Sequence, residues 1–495
     1  MKKTTKLFTA MLALLLILPL TFSLASCNKD KGNSDTGTQG SASIDDSLPA
    51  LEIKDLGGIE LEMLFPEVHA DGHYLVNELA IAETASNNIE EAVVLRNMAV
   101  ENAYNVKIIS NTMFVTDVAK AVRNEGFLGA SSYSAIAAPI NNKELNAIVQ
   151  EGYLTDFNKL THYSELDQPW WNHELMQDLS VANARYFASG DIIYSDDFYP
   201  YCTYVNTAVA QTYGVEENFY QLVKNKDWTL EKFHELAASV ATDYDYSQDA
   251  KGEGIMHGAV INANFFKATY YSAGKGVIGF DSKGYPVWQM TKEHATTVLD
   301  KAISIVHDDR ACVFADLVSP DNHALTELDL FASNKSLFLI EELIISERLT
   351  KGDNAVDFKV LPFPLYEQGG DYISVLNDAL VIAIPAMTEN KEDVCLVLSA
   401  MGRESVNTLT PVFFENVLTY RYMQDAESVE TLQIILDSTV APDIATIQKW
   451  GGMMEGFKSL GVEGSSSFAS VFDTNYGTAI GALEDYCVML DNYYR

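Results

Sequence analysis

Ile59-Glu60-Leu61-Glu62-Met63-Leu64-Phe65 alternates apolar and acidic residues before Pro66 closes the run, the period-two pattern of a strand with a buried face. Ala92, Leu95, Ala99 and Ala103 then recur at helical spacing, and Val106-Lys107-Ile108-Ile109 resumes as a strand. A strand, a helix and a strand in that order predict a parallel pair joined by a crossover. Outward from this unit the alternation continues. Ala135 to Ala138 is a short apolar run stopped by Pro139, as buried strands of parallel sheets are. Thr229, with Glu231 behind it, predicts the cap and first turn of a helix after Trp228. Phe280-Asp-Ser-Lys-Gly-Tyr285 predicts a hairpin with its Gly in the turn. Leu337 to Ile340 and Ala379 to Ile384 predict further buried strands, and Thr388 before Glu389 predicts the start of the next helix. There is no internal repeat. The pattern predicts an α/β protein whose helices cover mostly parallel sheets.

Of 495 residues, about 445 follow the first fifty, more than one hydrophobic core holds comfortably, which predicts two lobes. The apolar share of 47% is that of a soluble globular chain. A formal charge of −36 repels phosphate backbones and anionic headgroups, so nucleic acid is excluded as a partner. Besides Cys27 there are Cys202, Cys312, Cys395 and Cys487, whose spacings match no zinc or redox motif. They read as small buried hydrophobes.

The N-terminus carries three lysines, an apolar run from Leu7 to Leu18, and Leu24-Ala25-Ser26-Cys27. These residues resemble the signal and lipobox of bacterial lipoproteins. The resemblance implies that residues 1–26 are removed and that Cys27 receives diacylglycerol and is usually acylated again, a membrane anchor on the extracytoplasmic face. A spanning helix is the alternative, but Pro19 interrupts the run and such a helix needs no cysteine at its end. Losing Lys2, Lys3 and Lys6 with the leader would make the charge −39. Residues 27–57 then form the lipidated cysteine and a tether: Asn28 to Ser47 has almost nothing to bury, and about 20 flexible residues reach roughly 25 Å.

Beyond the tether, three blocks in order resemble an extracellular solute-binding protein of the family that includes maltose-binding protein and other sugar-binding lipoproteins of ABC importers. They are Glu151-Gly-Tyr-Leu-Thr-Asp-Phe157; Tyr186-Phe-Ala-Ser-Gly-Asp191 with Tyr204-Val-Asn206 and Asp227-Trp-Thr229; and Leu361-Pro-Phe-Pro364 with Ala379 to Pro385 and Asn390-Lys-Glu392. Two departures bear on ligand class more than on fold: Tyr204-Val-Asn-Thr207 lacks the usual Lys, and the chain is longer than the sugar-binding norm. The resemblance implies a two-lobed periplasmic-binding-protein-like (type II) fold with a hinge and an interlobe cleft. Lobe I would comprise 58–197 plus 378–420, and lobe II 200–372 plus 425–495. It further implies capture of a small solute, a mono- or oligosaccharide, by hinge closure, and delivery to ABC transporter permease subunits, without a cofactor.

Sugars offer C–H faces to aromatic rings and hydroxyls to Asp, Asn and Glu. With 25 Tyr, 23 Phe and 5 Trp, the chain has rings enough for a cleft and for ordinary cores. At the first crossover, Asp197, Tyr199 and Tyr201 are candidate contacts, with Asp196 and Phe198 beside them. Asn264, Phe265 and Phe266, following Asn262, resemble a family cleft loop. Glu341 and Glu342 end an apolar strand, so one of the two faces the ligand. Asn377 and Asp378 lie at the second crossover, and Trp450 stands beside Gly451 and Gly452. Trp170-Trp171 reads equally as a plug within a lobe.

Sharper chemistries fail on spacing. His69-Ala-Asp-Gly-His73 has i, i+4 imidazoles, but Asp-Gly favours a turn and the Glu base is missing, so no metal site is assigned. Asp243, Asp245, Ser247 and Asp249 begin like a calcium loop, yet Gln248 and Gly254 stand where its Gly and Glu belong. Adjacent carboxylates do not establish a glycosidase pair, and no nucleophile elbow appears. The chain therefore reads as a binding protein rather than an enzyme. A surface-anchored carbohydrate-active enzyme or glycan adhesin, and the same fold binding a peptide or polyamine, are the alternatives.

Overall fold

The strands, in chain order, are β1 (Ile59–Glu67), β2 (Val106–Phe114), β3 (Ala135–Pro139), β4 (Tyr201–Asn206), β5 (His257–Ile261), β6 (Ile278–Phe280), β7 (Pro286–Trp288), β8 (Cys312–Phe314), β9 (Ser336–Glu342), β10 (Phe358–Pro362), β11 (Ser374–Val375), β12 (Leu380–Ala383) and β13 (Thr439–Val440). They come from a computed structural model that describes residues 48–67, 77–81, 84–180, 182–242, 256–307, 311–315, 323–350, 355–376, 379–419 and 426–494.

A first sheet has the order β12-β3-β1-β2, and a second the order β10-β4-β9-β5-β8. In the first, β1 runs parallel to β2 and β3, and β12 is antiparallel to β3. In the second, β5 is parallel to β8 and β9, while β4 runs antiparallel to β9 and β10. The alternation read at Ile59 holds only at the start of β1: from Met63 to Pro66 both faces are covered, as they are along all of β3. Helices start where short polar side chains accept the first free N–H groups. Asn87, Asn142, Asn218 and Thr229 each do this, an arrangement worth about 1 kcal/mol apiece. Thr388 does not: its hydroxyl donates to the Tyr133 carbonyl, and the next helix, Lys391–Ser405, begins after Asn390 in left-handed conformation. The hairpin β6–β7 turns at Gly284, whose φ of +78° suits a residue without Cβ.

The chain leaves the first sheet after β3, enters the second at β4, and returns at β12. The two passages meet in an antiparallel bridge, Pro200 with Leu376. β11 and β13 pair beside it, and the Leu376 N–H donates to the Val440 carbonyl at 2.9 Å. The two bodies also touch away from this seam. The Ala182 N–H donates to the Gly284 carbonyl at 3.0 Å, and Asn183 Nδ2 to the Lys283 carbonyl at 2.8 Å.

Each body has its own aromatic filling. In the second, Trp228, Phe233, Phe265, Phe338 and Phe363 interlock, and Trp228 Nε1 donates to the Pro362 carbonyl at 3.0 Å. In the first, Trp170 is buried with Nε1 on Ser399 Oγ, and Gly402 leaves room for its ring, where a Cβ would stand 2.7 Å from Cδ1. The Trp170-Trp171 pair is therefore packing. Arg96 is wholly buried and donates to the carbonyls of Glu78, Leu79 and Ile192. Burial pulls its guanidinium down to about 9, opposed by Glu78, so it remains charged at neutral pH. Cys202 and Cys395 are buried, and Cys312 and Cys487 half-buried; none of these four is in a disulfide.

Candidate ligand-binding site

Open α/β sheets bind ligands beyond the carboxyl ends of their parallel strands, because loops and helix starts gather there. In the second sheet those are the ends of β5, β8 and β9. Val260 pairs with Leu339, so the register carries Asn262 level with Glu341. β4 runs the other way, and its first residue, Tyr201, lies opposite Glu342. Pro200, in the bridge between the two passages, immediately precedes it. Topology thus brings Tyr201, Asn262, Glu341 and the start of the helix Asn264–Ser272 to one edge beside the crossover.

Side chains there form a continuous polar chain. The Tyr201 hydroxyl donates to Asn262 Oδ1 at 2.6 Å, and Asn262 Nδ2 donates to Glu341 Oε2 at 2.7 Å. The Asn264 N–H also donates to Asn262 Oδ1, at 2.9 Å, and Lys458 Nζ donates to Asn264 Oδ1 at 2.8 Å. Tyr201 and Asn262 are buried, whereas Glu341, Asn264 and Lys458 are half-buried, and Glu341 Oε1 also accepts the Glu342 N–H at 3.0 Å. Tyr204 fixes the segment after β9: its hydroxyl donates to the carbonyls of Glu342 and Leu343 and accepts from the Ser346 N–H. Burial pushes the Tyr201 phenol well above its ordinary range, and the nearby carboxylates of Glu341, Glu327 and Glu342 push it further. Tyr201 is thus a permanent donor, and Asn262 is held in one amide orientation with acceptor and donor ends both used.

The structure divides the sequence candidates. Tyr201, Asn264 and Glu341 come together, Tyr201 by its hydroxyl rather than its ring face. The pleat separates Glu341, half-buried, from Glu342, buried, as adjacent strand residues require. Phe265 and Phe266 correct the expectation of a stacking surface. Both are fully buried: Phe265 lies against Phe233 and Phe363, and Phe266 stacks on Phe314 with centroids 6.0 Å apart. Trp450 is likewise 5% exposed, its ring against Tyr486 at 5.4 Å and its Nε1 on Gln448. Tyr199 is 3% exposed. These rings are core in this structure: Phe265, Phe266 and Trp450 pack on other rings, and Tyr199 lies in a buried apolar cluster with Phe198 and Tyr204. Asp197 is half-buried in the short helix Ser195–Phe198. Asn377, Asp378, Cys27, the His69–His73 pair and the Asp243–Asp249 run lie outside the described residues.

Three residues were not read from the sequence. Lys458 sits on the helix Met453–Glu463 with no local signal. Glu327, buried in the helix His323–Ala332, had one: its i, i+4 spacing with Phe331 puts it on the buried face. Phe114 ends β2 with its ring 49% exposed, at the carboxyl edge of the first sheet.

No protein-family model matches the chain, and no curated protein does. Solved structures do. The cyclic α-maltosyl-1,6-maltose binding protein of Arthrobacter globiformis superposes with a TM-score of 0.58 at 10% identity, over 87% of this chain and 100% of that one. The ABC substrate-binding protein Lmo0181 of Listeria monocytogenes, in complex with cycloalternan, gives 0.55 at 13% identity, over 86% and 99%. A sugar transporter protein of Rhizobium etli in an open conformation gives 0.57 at 12%, over 85% and 98%. At these identities the likeness is one of fold. The chain has the two-lobed, maltose-binding-protein-like α/β fold of the extracellular solute-binding proteins of ABC importers.

Proposed function

We propose that this protein is a non-catalytic, extracytoplasmic solute-binding protein that captures an oligosaccharide between its lobes and hands it to an ABC permease. The observation that carries the reading is the polar chain Tyr201–Asn262–Glu341 with Asn264 and Lys458, set at the carboxyl edge of the second sheet beside the Pro200–Leu376 bridge. Such an edge supplies both donors and acceptors, as sugar hydroxyls need. The neighbours in fold support the sugar: cycloalternan and maltotriose are bound in two of them. They are binding proteins, which supports a role without turnover. Membership of the two sheets supports lobes of about 58–197 plus 378–420 and 200–372 plus 425–495, closing about the paired passages. The sequence Leu24-Ala25-Ser26-Cys27 supports a lipid anchor at Cys27.

Isothermal titration with linear and cyclic α-glucans tests this reading, with small-angle scattering on the same samples. Saturable heat, a smaller radius of gyration and unchanged glycan are expected. A ligand present at 100 times its dissociation constant adds about 2.7 kcal/mol to stability, which a thermal shift reads independently. The carboxylates of Glu327, Glu341 and Glu342 around Tyr201 favour one second reading, a cationic solute. Heat from spermidine and none from glycans would decide for it, and accumulation of cleaved glycan would overturn the non-catalytic role.

A further inference from the structure

Among the described residues, the three most exposed large apolar side chains are Phe127 at 79%, Leu128 at 78% and Ile53 at 67%. They share one end of the first sheet, opposite the carboxyl ends of its parallel strands. Ile53 precedes β1, whose entry is fixed by the Leu56 N–H on the Tyr104 carbonyl and the Gly58 N–H on that of Asn105, where the helix Asn88–Tyr104 ends. Phe127 and Leu128 close the helix Val118–Phe127, which runs back to that end before β3 begins. β12, antiparallel to β3, brings half-exposed Met387 there as well. The Ala386 N–H donates to the Tyr153 carbonyl at 2.8 Å, and the Tyr153 ring lies against Gly126, where a Cβ would stand 2.4 Å from Cδ1. Lys54 pairs with Asp393 at the start of the helix Lys391–Ser405, at the same end.

Single exposed apolar residues are ordinary. Here the most exposed ones coincide with the place where residues before 51 join the fold. We propose that this end rests on a lipid bilayer, with Phe127 and Leu128 entering the boundary between headgroups and acyl chains and Ile53 and Met387 at their margin. The proposal rests on the lipid-anchor reading of Cys27. A tether of about 20 residues with a reach of roughly 25 Å keeps the end at high local concentration over the membrane, so a weak contact suffices. The charge, −39 once the leader is lost, makes a zwitterionic surface the fitting one, since an anionic leaflet repels the chain. In this pose the carboxyl ends of the first sheet's parallel strands face away from the membrane, toward free solute.

The test uses the full lipidated protein on phosphatidylcholine vesicles, and hydrogen exchange compared with the unlipidated Cys27→Ser protein in solution. Slower exchange at 124–132 and 384–388 on vesicles is expected, with the carboxyl ends of the strands unaffected. Burying a side chain of this size is worth roughly tenfold or more in partitioning, so Phe127→Ser with Leu128→Ser should restore solution exchange at 124–132. Circular dichroism and retained flotation show that this variant is folded and anchored. Flotation with unchanged exchange overturns the resting pose alone, whereas failure to float overturns the anchor reading. Slowing that appears only when permease is added to the vesicles assigns the end to a protein partner and overturns the lipid one.

Discussion

Tyr201→Phe deletes one oxygen from the centre of the polar chain and leaves the ring in place. The lost bond is 2.6 Å long and fully buried. Its acceptor, Asn262 Oδ1, still receives the Asn264 N–H at 2.9 Å, so no buried group is orphaned. The cost should therefore be that of one net hydrogen bond, about 1 kcal/mol, rather than the larger penalty of a stranded polar atom. The same figure enters ligand affinity, because Asn262 keeps two of the three bonds that fix its amide, and a rise in Kd of about fivefold follows. Asn262→Leu is the contrasting change. It leaves the Tyr201 hydroxyl without its acceptor and Glu341 Oε2 without the Asn262 donor, for roughly 3 kcal/mol in stability. Urea unfolding of the empty protein and calorimetric titration with the best α-glucan measure both quantities. Equal costs for the two variants, or unchanged affinity in both, would refute the idea that this chain orients the site.

Trp450→Ala and Tyr199→Ala should each destabilise the empty protein, by about 3–5 kcal/mol for the tryptophan, because both rings are buried; an unchanged urea midpoint would return them to the cleft. Arg96→Met should cost about 3–5 kcal/mol in the same assay, since it takes a buried donor from the carbonyls of Glu78, Leu79 and Ile192, of which Leu79 keeps the Asn97 amide, and removes the cation that faces Glu78. His257 has its pKa lowered to about 4, first by burial and then by Lys335. Between that value and its ordinary one the unfolded chain holds the extra proton, so stability falls as pH drops from about 6.5 to 4, by at most roughly 1.4 kcal/mol per pH unit. His257→Gln should flatten that slope in urea titrations. Phe114→Ser should leave stability within about 0.5 kcal/mol, as its ring is half exposed, yet weaken glycan binding if the first sheet's edge stacks on sugar.

Strands were legible because apolar runs ended by Pro have few other uses, as at Ala135–Pro139 and at Leu380–Ala383 before Pro385. Helix starts were legible where the cap is a side-chain acceptor, as at Thr229, and misread where a left-handed Asn390 makes the turn in place of Thr388. The site was legible only in part. A sequence records that Phe265 has a ring but not that Phe233, Phe266 and Phe363 pack around it. Glu341 and Asn264 could be found because strand ends and crossover positions are local features. Lys458 could not, because its contact with Asn264 joins residues 194 positions apart and depends on how the helix Met453–Glu463 packs on the helix Asn264–Ser272.

The passages joining the halves are stitched to each other at Pro200 and Leu376, and the second is stitched again to Val440. Threads sewn edge to edge behave as a ribbon, which bends readily across its flat face and resists sliding in its own plane. In the proposed closure, once the Ala182–Gly284 and Asn183–Lys283 contacts part, motion of the halves would be a swing about one axis. On that proposal, guests of different girth would stop the swing at different angles, so one label on each half, read as a single distance, would rank them by size.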